Sequence, residues 1–287
     1  MDILQTLSEE FSIPTKHLED TVALIDEGNT IPFIARYRKE VTGSLDDTVL
    51  RGLFDRLTYL RSLEERREKV RETIAEQGKL TDEISEALDN AVTLTEIEDI
   101  YRPFKQKRKT RASVAREKGL APLAELIAEQ RESYEPSILE SAKGFINEEK
   151  GVASAEEALA GAMDIIAEDI SDNAEYRKEI RAITFDFGFI SSSAATEEST
   201  VYDMYYDYRE PIRKTPSHRI LAMNRGEKED ILKVKIEIAK DAVLNYLFMA
   251  ADINMFTEAT PYMAKAAIDS YERLIAIYRA RNKIRSF

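Results

Sequence analysis

The sequence predicts an all-α, multihelical fold. Apolar residues recur at spacings of three and four along most of the chain, while runs that alternate apolar and polar residues are scarce. The chain is rich in Ala, Leu, Glu, Lys and Arg, which favour helices. With 287 residues, 43% of them hydrophobic and 33% charged, it can bury one large core or two smaller ones.

The first helices follow from local signals. An opening pair is predicted at 2–11 and 15–27, and a third helix covers TIPFIARYRKEVTG and ends at Gly43. One long helix is predicted over about 46–77, where Gly52 is the only helix-weakening residue. Its apolar face carries Leu50, Leu53, Leu57, Leu60 and Leu63. Because EERREK in its second half is charged nearly all round, we expect that half to project from the core.

Shorter helices complete the first two thirds of the chain. They are predicted at about 81–91, 94–101, 112–118 and 122–130. SAEE at 154–157 is typical of a capping box and begins a helix that runs to about Ile170. DNAEYRKEIRAITF forms the next helix, which ends near Gly188.

The main domain boundary is predicted near residue 190. FGFISSSAATEEST is interpreted there as an irregular connection, which separates a helical domain at 1–190 from a helical segment at 191–287. ILKVKIEI at 231–238 alternates apolar and charged residues, so it is predicted to be one short strand. Two helices, at about 239–251 and 260–282, close the sequence.

Metal and thiol chemistry are not expected. The chain has no cysteine, which excludes disulfide scaffolds, thiol catalysis and cysteine zinc sites. Neither His17 nor His218 follows a glutamate by three residues, as di-iron bundles require. Asp164, Glu168 and Asp169 share a helix face that we interpret as solvated. No metal or other cofactor is predicted.

No catalytic residue is predicted either. Ser217 stands beside His218, but a catalytic serine and histidine normally meet through the fold and not through adjacency in sequence. The chain has no G-x-S-x-G motif and no glycine-rich phosphate loop. Ser217 is interpreted as a helix cap, and the chain as a protein that is not an enzyme.

The expected location is the cytoplasm. The start, MDILQTLSEEF, lacks the basic and apolar regions of a signal peptide. Apolar runs stay well short of the ~20 residues that span a bilayer. The absence of cysteine is compatible with a reducing compartment.

Four tyrosines in VYDMYYDY allow two interpretations. They could stack the bases of a single strand, but Tyr202 and Tyr205 stand at helical spacing, and the acidic residues between 203 and 210 would repel phosphate. We therefore predict core or interface packing.

The strongest candidate site is the basic segment, residues 101–119, YRPFKQKRKTRASVAREKG. It holds eight positive side chains and one acid, in a chain of net charge −13. Such density neutralises phosphates and releases counterions, the main source of sequence-independent nucleic-acid affinity. The candidate phosphate ligands are Arg102, Lys105, Lys107, Arg108, Lys109 and Arg111. The alternative is a solvated loop that docks on the acidic remainder of the chain.

A weaker basic patch lies earlier in the chain. Arg36, Arg38 and Lys39 are its members. The structural alternative is that Ile34 and Tyr37 pack inward while the arginines hold neighbouring helix ends.

Four long blocks resemble the Tex family of bacterial transcription accessory proteins. They are TIPFIARYRKEVTGSLDD at 30–47, EIEDIYRPFKQKRKTRASVAREKGLAPLA at 96–124, ALAGAMDIIAEDISDNAEYRKEIR at 158–181 and YDMYYDYREPIRKTPSHRILAMNRGEKEDILKVKI at 202–236. The blocks stand in the family's order and cover nearly the whole chain. After SYERLIA at 270–276 we expect the resemblance to stop.

The resemblance implies a mostly helical N-terminal region with a long helix and a helix-turn-helix-like portion, and kinship with a eukaryotic transcription elongation factor. Members of this family continue with an RNase-H-like domain, a helix-hairpin-helix module and an RNA-binding OB-fold domain. These do not fit in 287 residues. We therefore expect a family N-terminus standing alone.

The function expected from residues and resemblance together is a non-enzymatic scaffold that contacts nucleic acid, RNA or DNA, weakly through the basic segment. The alternative is a protein-interaction module whose acidic helical surface binds RNA polymerase or another basic partner, because a net charge of −13 favours basic partners. No membrane partner is expected.

Overall fold

The computed structural model describes residues 2–106 and 109–276, which form two compact units, Met1–Tyr101 and Arg102–Phe287. Helices dominate both units, so the predicted fold class is confirmed. The domain boundary near residue 190 stays a prediction.

Helices α1 to α7 belong to the first unit. Their bounds are Ile3–Phe11, Thr15–Asp26, Ile31–Tyr37, Lys39–Thr42, Asp47–Glu76, Asp82–Asn90 and Leu94–Tyr101. The single helix predicted to end at Gly43 is broken at Arg38 into α3 and α4. Gly43 does close α4, with a φ of 69° in the left-handed region that favours glycine.

Helix α5 is the long helix that the sequence predicts. Asp46 caps it by accepting a 2.9 Å hydrogen bond from the Val49 backbone N–H. The leucine face is buried as expected. The second half, however, does not project: Val70 and Ile74 are fully buried. The expectation was wrong because α5 packs against α6 and α7, which cover that half of the helix.

Helices α8 to α15 belong to the second unit. Their bounds are Arg111–Glu117, Ala121–Ala128, Ile138–Lys143, Ala155–Asp172, Ala174–Phe187, Ser217–Lys228, Lys240–Ala250 and Thr260–Asp269. A π-helical stretch, Ser270–Ile275, continues α15. Helix α11 is the centre of the core and packs against α8, α9, α10 and α15.

Close approach of α8 and its following turn to α11 depends on Gly161. A Cβ atom at this position would lie 2.4 Å from Leu120 Cδ1 and 3.4 Å from Ala115 Cβ. A larger residue would therefore push the two segments apart.

A small antiparallel sheet completes the second unit. Its strands are β1 (Phe189–Ala194), β2 (Asp207–Pro211) and β3 (Leu232–Glu237), in the order β2-β1-β3. β3 confirms the predicted strand. The interpretation of the preceding region as an irregular connection was wrong where β1 lies, because Ile190 and Ser192 point inward from a regular strand.

Candidate nucleic-acid interface

The described parts of the basic segment, residues 101–106 and 109–119, contain a short turn and a short helix. Residues 102–104 form a 3₁₀ turn, and α8 begins at Arg111. Thr110 and Ser113 cap α8 reciprocally: the Thr110 hydroxyl accepts from the Ser113 N–H at 3.0 Å, and the Ser113 hydroxyl accepts from the Thr110 N–H at 2.8 Å. Ala112 and Ala115 are buried on the face toward α11, which fixes where the charged side chains point.

Two arginines of the segment are neutralised within the protein. Arg116 donates through Nη1 to Glu168 Oε2 at 3.0 Å and through Nη2 to Asp169 Oδ1 at 2.5 Å. Arg102 Nε donates to Asp172 Oδ1 at 2.9 Å. All three acids stand on α11. The segment is therefore partly docked on acidic residues of its own chain, as the alternative interpretation expected.

The acidic face of α11 is solvated only in part: Asp169 is exposed, as the sequence suggested, but its neighbours are not. Glu168 is only 9% exposed and Asp172 only 7%. Asp164 accepts a 3.0 Å hydrogen bond from Arg273 Nη2. Helical spacing in the sequence placed these acids on one face. Their arginine partners, however, lie about fifty or more residues away in sequence, so local sequence patterns do not reveal these ion pairs.

Burial controls the ionisation of two of these acids. It raises the pKa of Asp169, and the Arg116 guanidinium opposes that rise. Burial also raises the pKa of Asp164, against the positive charges of Arg273 and Arg111. The pKa of both acids is raised overall, so the arginine charges offset the effect of burial only in part.

The remaining candidates of the basic segment are exposed or lie outside the described residues. Lys107 and Arg108 fall outside the described residues. Lys105, Lys109 and Arg111 are exposed. Of these, Lys109 and Arg111 form no hydrogen bond or ion pair through their side chains with the described part of the chain.

The weaker patch is only loosely organised. Arg38 donates through Nη1 to the Tyr37 carbonyl at 3.2 Å, and its guanidinium lies 5.1 Å from the centre of the Phe33 ring. Arg36 and Lys39 are exposed.

The packing expected around this patch is half confirmed. Ile34 is fully buried, whereas Tyr37 is 62% exposed. Tyr37 was misjudged because it is the last residue of α3, where the helix breaks before α4 and the ring turns to solvent.

The other polar constellations have structural roles. Tyr202 and Tyr205 are buried in the small core beneath the sheet, which confirms the packing interpretation. Ser217 is not a helix cap: it is the first residue of α13, and Pro216 occupies the capping position.

Among the described residues no cluster of histidine and acidic side chains could hold a metal ion. No described helix is long and apolar enough to cross a bilayer.

Comparison with known proteins identifies two family regions. Residues 1–75 match the Tex-like protein N-terminal domain, and residues 133–285 match the Tex central region. The second match extends past residue 276, farther than we expected the resemblance to reach. The basic segment lies between the two matched ranges.

Relatives match across nearly the whole chain. The Bacillus subtilis protein YdcI is 47% identical over 94% of this chain and 38% of its own length. The transcriptional accessory protein Tex of Neisseria gonorrhoeae is 42% identical over 84% of this chain and 32% of its own length. The human S1 RNA-binding domain-containing protein 1 is 29% identical over 83% of this chain and 24% of its own length. The chain thus spans between a quarter and two fifths of the length of these relatives.

The central-region match covers more than half of the chain, and the N-terminal match precedes it in the order that the sequence blocks predict. The chain belongs to the Tex family of transcription accessory proteins.

Proposed function

We propose that this chain is a non-enzymatic scaffold region of a transcription accessory protein and that the basic segment contacts the phosphates of a nucleic acid. The observation that carries the proposal is the pair Lys109 and Arg111. Both side chains are exposed and form no hydrogen bond with the described residues, and Arg111 acts on Asp164 only through its charge. They lie at the start of a helix that packs on the core.

Arg102 and Arg116 are assigned a supporting role. Each is engaged by a largely buried acid, Asp172 or Glu168, which a phosphate would have to displace. Separation of a largely buried carboxylate from its arginine is unfavourable. These arginines therefore anchor the segment, and phosphate contact passes to its exposed members.

The family supports a role beside nucleic acid. One relative is named a transcriptional accessory protein, and another is named for an S1 RNA-binding domain. This chain spans only part of such proteins, so we propose an auxiliary contact and not the main binding activity.

The expected affinity is low and sensitive to salt. Two neutralised phosphates on a single strand give a slope of about −1.4 in log K against log salt, since each contributes about −0.7. Arg111 can also form the bidentate contact that favours phosphate over chloride.

The test is fluorescence anisotropy of labelled single-stranded RNA and duplex DNA, at low and near-physiological salt. Lys109→Glu/Arg111→Glu should abolish the salt-dependent binding. The matched control, Lys178→Glu/Lys265→Glu, makes the same change of charge at exposed lysines on α12 and α15 and should retain most of it. Equal loss in both variants would overturn the assignment to the basic segment, and so would the absence of binding by the wild type at low salt.

A further inference from the structure

The small sheet has two outer edges, and the hydrogen-bond register shows which backbone groups face outward on β3. Ala195 N–H donates to the Ile231 carbonyl at 2.8 Å, so odd-numbered residues of this strand bond to β1. Val234 N–H instead donates to the Glu227 carboxylate at 3.3 Å, on the side away from β1. Leu232, Val234 and Ile236 therefore direct their backbone groups outward.

The outer edge of β2 is blunted. Ala194 N–H donates to the Tyr206 carbonyl, and Ile212 N–H to the Gly188 carbonyl, so the odd-numbered residues of β2 face outward. One of these is Pro211, which has no N–H to offer to a further strand. β3 contains no proline. Each edge thus loses one outward N–H, since Glu227 occupies that of Val234 on β3. Among the described residues, β3 still offers the Val234 carbonyl and both backbone groups of Ile236, and a groove beside it distinguishes it from β2.

A groove of about 780 Å³ runs beside this open edge. Ile236 and Ile238 contribute apolar surface on the strand side, and Tyr271 and Ala276 line the groove as well. The groove gives the side chains of an added strand an apolar surface to pack against, in addition to the main-chain hydrogen bonds of the edge.

The charges around the groove favour an acidic guest. Glu237 is already engaged, since it accepts from the Ser191 hydroxyl at 2.6 Å and from Arg209 Nε at 2.9 Å. Lys233 and Lys235 are exposed and form no salt bridge with the described residues, although the charge of Lys235 also acts on Glu237.

The same two lysines disfavour a second copy of this chain at the edge. Antiparallel pairing of β3 with itself would bring lysines of the two copies close together, and like charges across strands are destabilising. Asp230, exposed at the turn before β3, limits an acidic guest to the part of the strand that follows it.

We propose that the outer edge of β3 binds an extended segment of a partner protein in which acidic and apolar residues alternate. Its main chain pairs with the Val234 carbonyl and with the N–H and carbonyl of Ile236. Its acidic side chains face Lys233 and Lys235, and its apolar side chains enter the groove. Glu227, which occupies the Val234 N–H, marks the end of the paired stretch.

The test uses a fluorescein-labelled peptide of alternating glutamate and valine, titrated by anisotropy into the 287-residue chain. A peptide of the same composition with its glutamates grouped at one end should bind at least tenfold more weakly. Ile236→Pro removes one outward N–H without removing a bond to β1, and should weaken binding at least tenfold. The control Ile236→Val keeps that N–H and should bind within about twofold of wild type, because main-chain pairing provides most of the affinity.

Charge reversal supplies a second variant. The variant Lys233→Glu/Lys235→Glu should no longer bind the glutamate–valine peptide. It should instead bind a peptide of alternating lysine and valine. Circular dichroism and thermal melting establish that each variant folds. If Ile236→Pro does not fold, hydrogen exchange on the wild type decides: the peptide should protect the Ile236 amide, which faces away from β1.

Three results would overturn the proposal. They are equal binding of alternating and grouped peptides, unchanged binding by a folded Ile236→Pro variant, and protection by the peptide elsewhere but not at β3. Sedimentation that shows a dimer broken by Ile236→Pro would also overturn it, because the edge would then belong to a second copy.

Discussion

Arg67 in the middle of α5 reaches the carbonyl of Leu88 at the end of α6, with 2.8 Å between Nε and the oxygen. The same guanidinium donates through Nη2 to the Ala91 carbonyl at 2.8 Å and pairs with Glu64. Only 1% of Arg67 is exposed. A single buried cation therefore satisfies carbonyls at a helix end and lets α6 lie against α5.

Replacement of Arg67 by methionine should cost about 1–3 kcal/mol of unfolding free energy, because the buried Ala91 carbonyl loses its donor. The Leu88 carbonyl keeps the Ala91 N–H as a second donor. Urea denaturation followed by circular dichroism measures this loss. The control Arg61→Met breaks the exposed pair with Asp26 and should cost no more than about 1 kcal/mol. An equal loss of unfolding free energy in Arg67→Met and Arg61→Met would show that Arg67 contributes no more than an exposed arginine.

Two glycine-to-alanine changes should act in opposite directions. At Gly188 a Cβ atom would lie 2.3 Å from the Thr184 carbonyl oxygen, a backbone atom with little room to move. Gly188→Ala should therefore destabilise the chain by about 1–3 kcal/mol. At Gly52 the nearest atom, Phe11 Cε1, lies 3.4 Å away. Gly52→Ala should stabilise α5 by about 0.5–1 kcal/mol. Thermal melting compares the stability of the two variants. A lower melting temperature for Gly52→Ala, as for Gly188→Ala, would contradict the packing described around Gly52.

Asp164 and Asp26 should respond oppositely to pH. Burial raises the pKa of Asp164 in the folded state, so the folded protein holds this proton more tightly and the group's contribution to stability falls as pH rises above its ordinary value of 3.8. The hydrogen bond from Arg61 lowers the pKa of Asp26, whose contribution is present above pH 3.8 and is lost as pH falls below it.

Urea denaturation of Asp164→Asn and Asp26→Asn across pH 3 to 7 checks these signs. Relative to wild type, Asp164→Asn should become more favourable as pH rises and Asp26→Asn less favourable. The same slope in both variants would show that burial does not distinguish the two carboxyls.

Removal of an acid beside the basic segment should strengthen nucleic-acid binding. Asp169→Asn releases one of the two partners of Arg116 and lowers the local negative charge, while the buried Glu168 keeps the arginine in place. RNA affinity at low salt should rise a few fold, by anisotropy. Glu179→Gln, an exposed change of equal charge on α12, provides the control. An equal rise of RNA affinity in the two variants would show that net charge, and not the surroundings of Arg116, determines the change.

The helical pattern was predictable where apolar spacing alone decides it. The bounds of α5 came from its leucine face and from Asp46, and those of α11 from SAEE. β1 escaped prediction because three consecutive serines have little strand preference, and only the pairing with β2 and β3 makes that stretch regular. Arg67 escaped because an arginine on a helix normally indicates solvent, and its partners belong to another helix.

Charge counting found the basic segment, but it could not divide the segment's members into two roles. That division depends on α11, whose acids come beside Arg102 and Arg116 only in the folded chain. Arg111 has the same residue type as Arg102 and Arg116 and differs from them only in position, so composition gives no signal that separates these arginines.

Pro211 has a consequence for assembly. Open-ended growth through sheets would require β3 of one molecule to pair with β2 of the next, and the missing N–H of Pro211 weakens that junction. Repeated head-to-tail pairing of this chain through its sheet is therefore disfavoured at one of its two contributing edges.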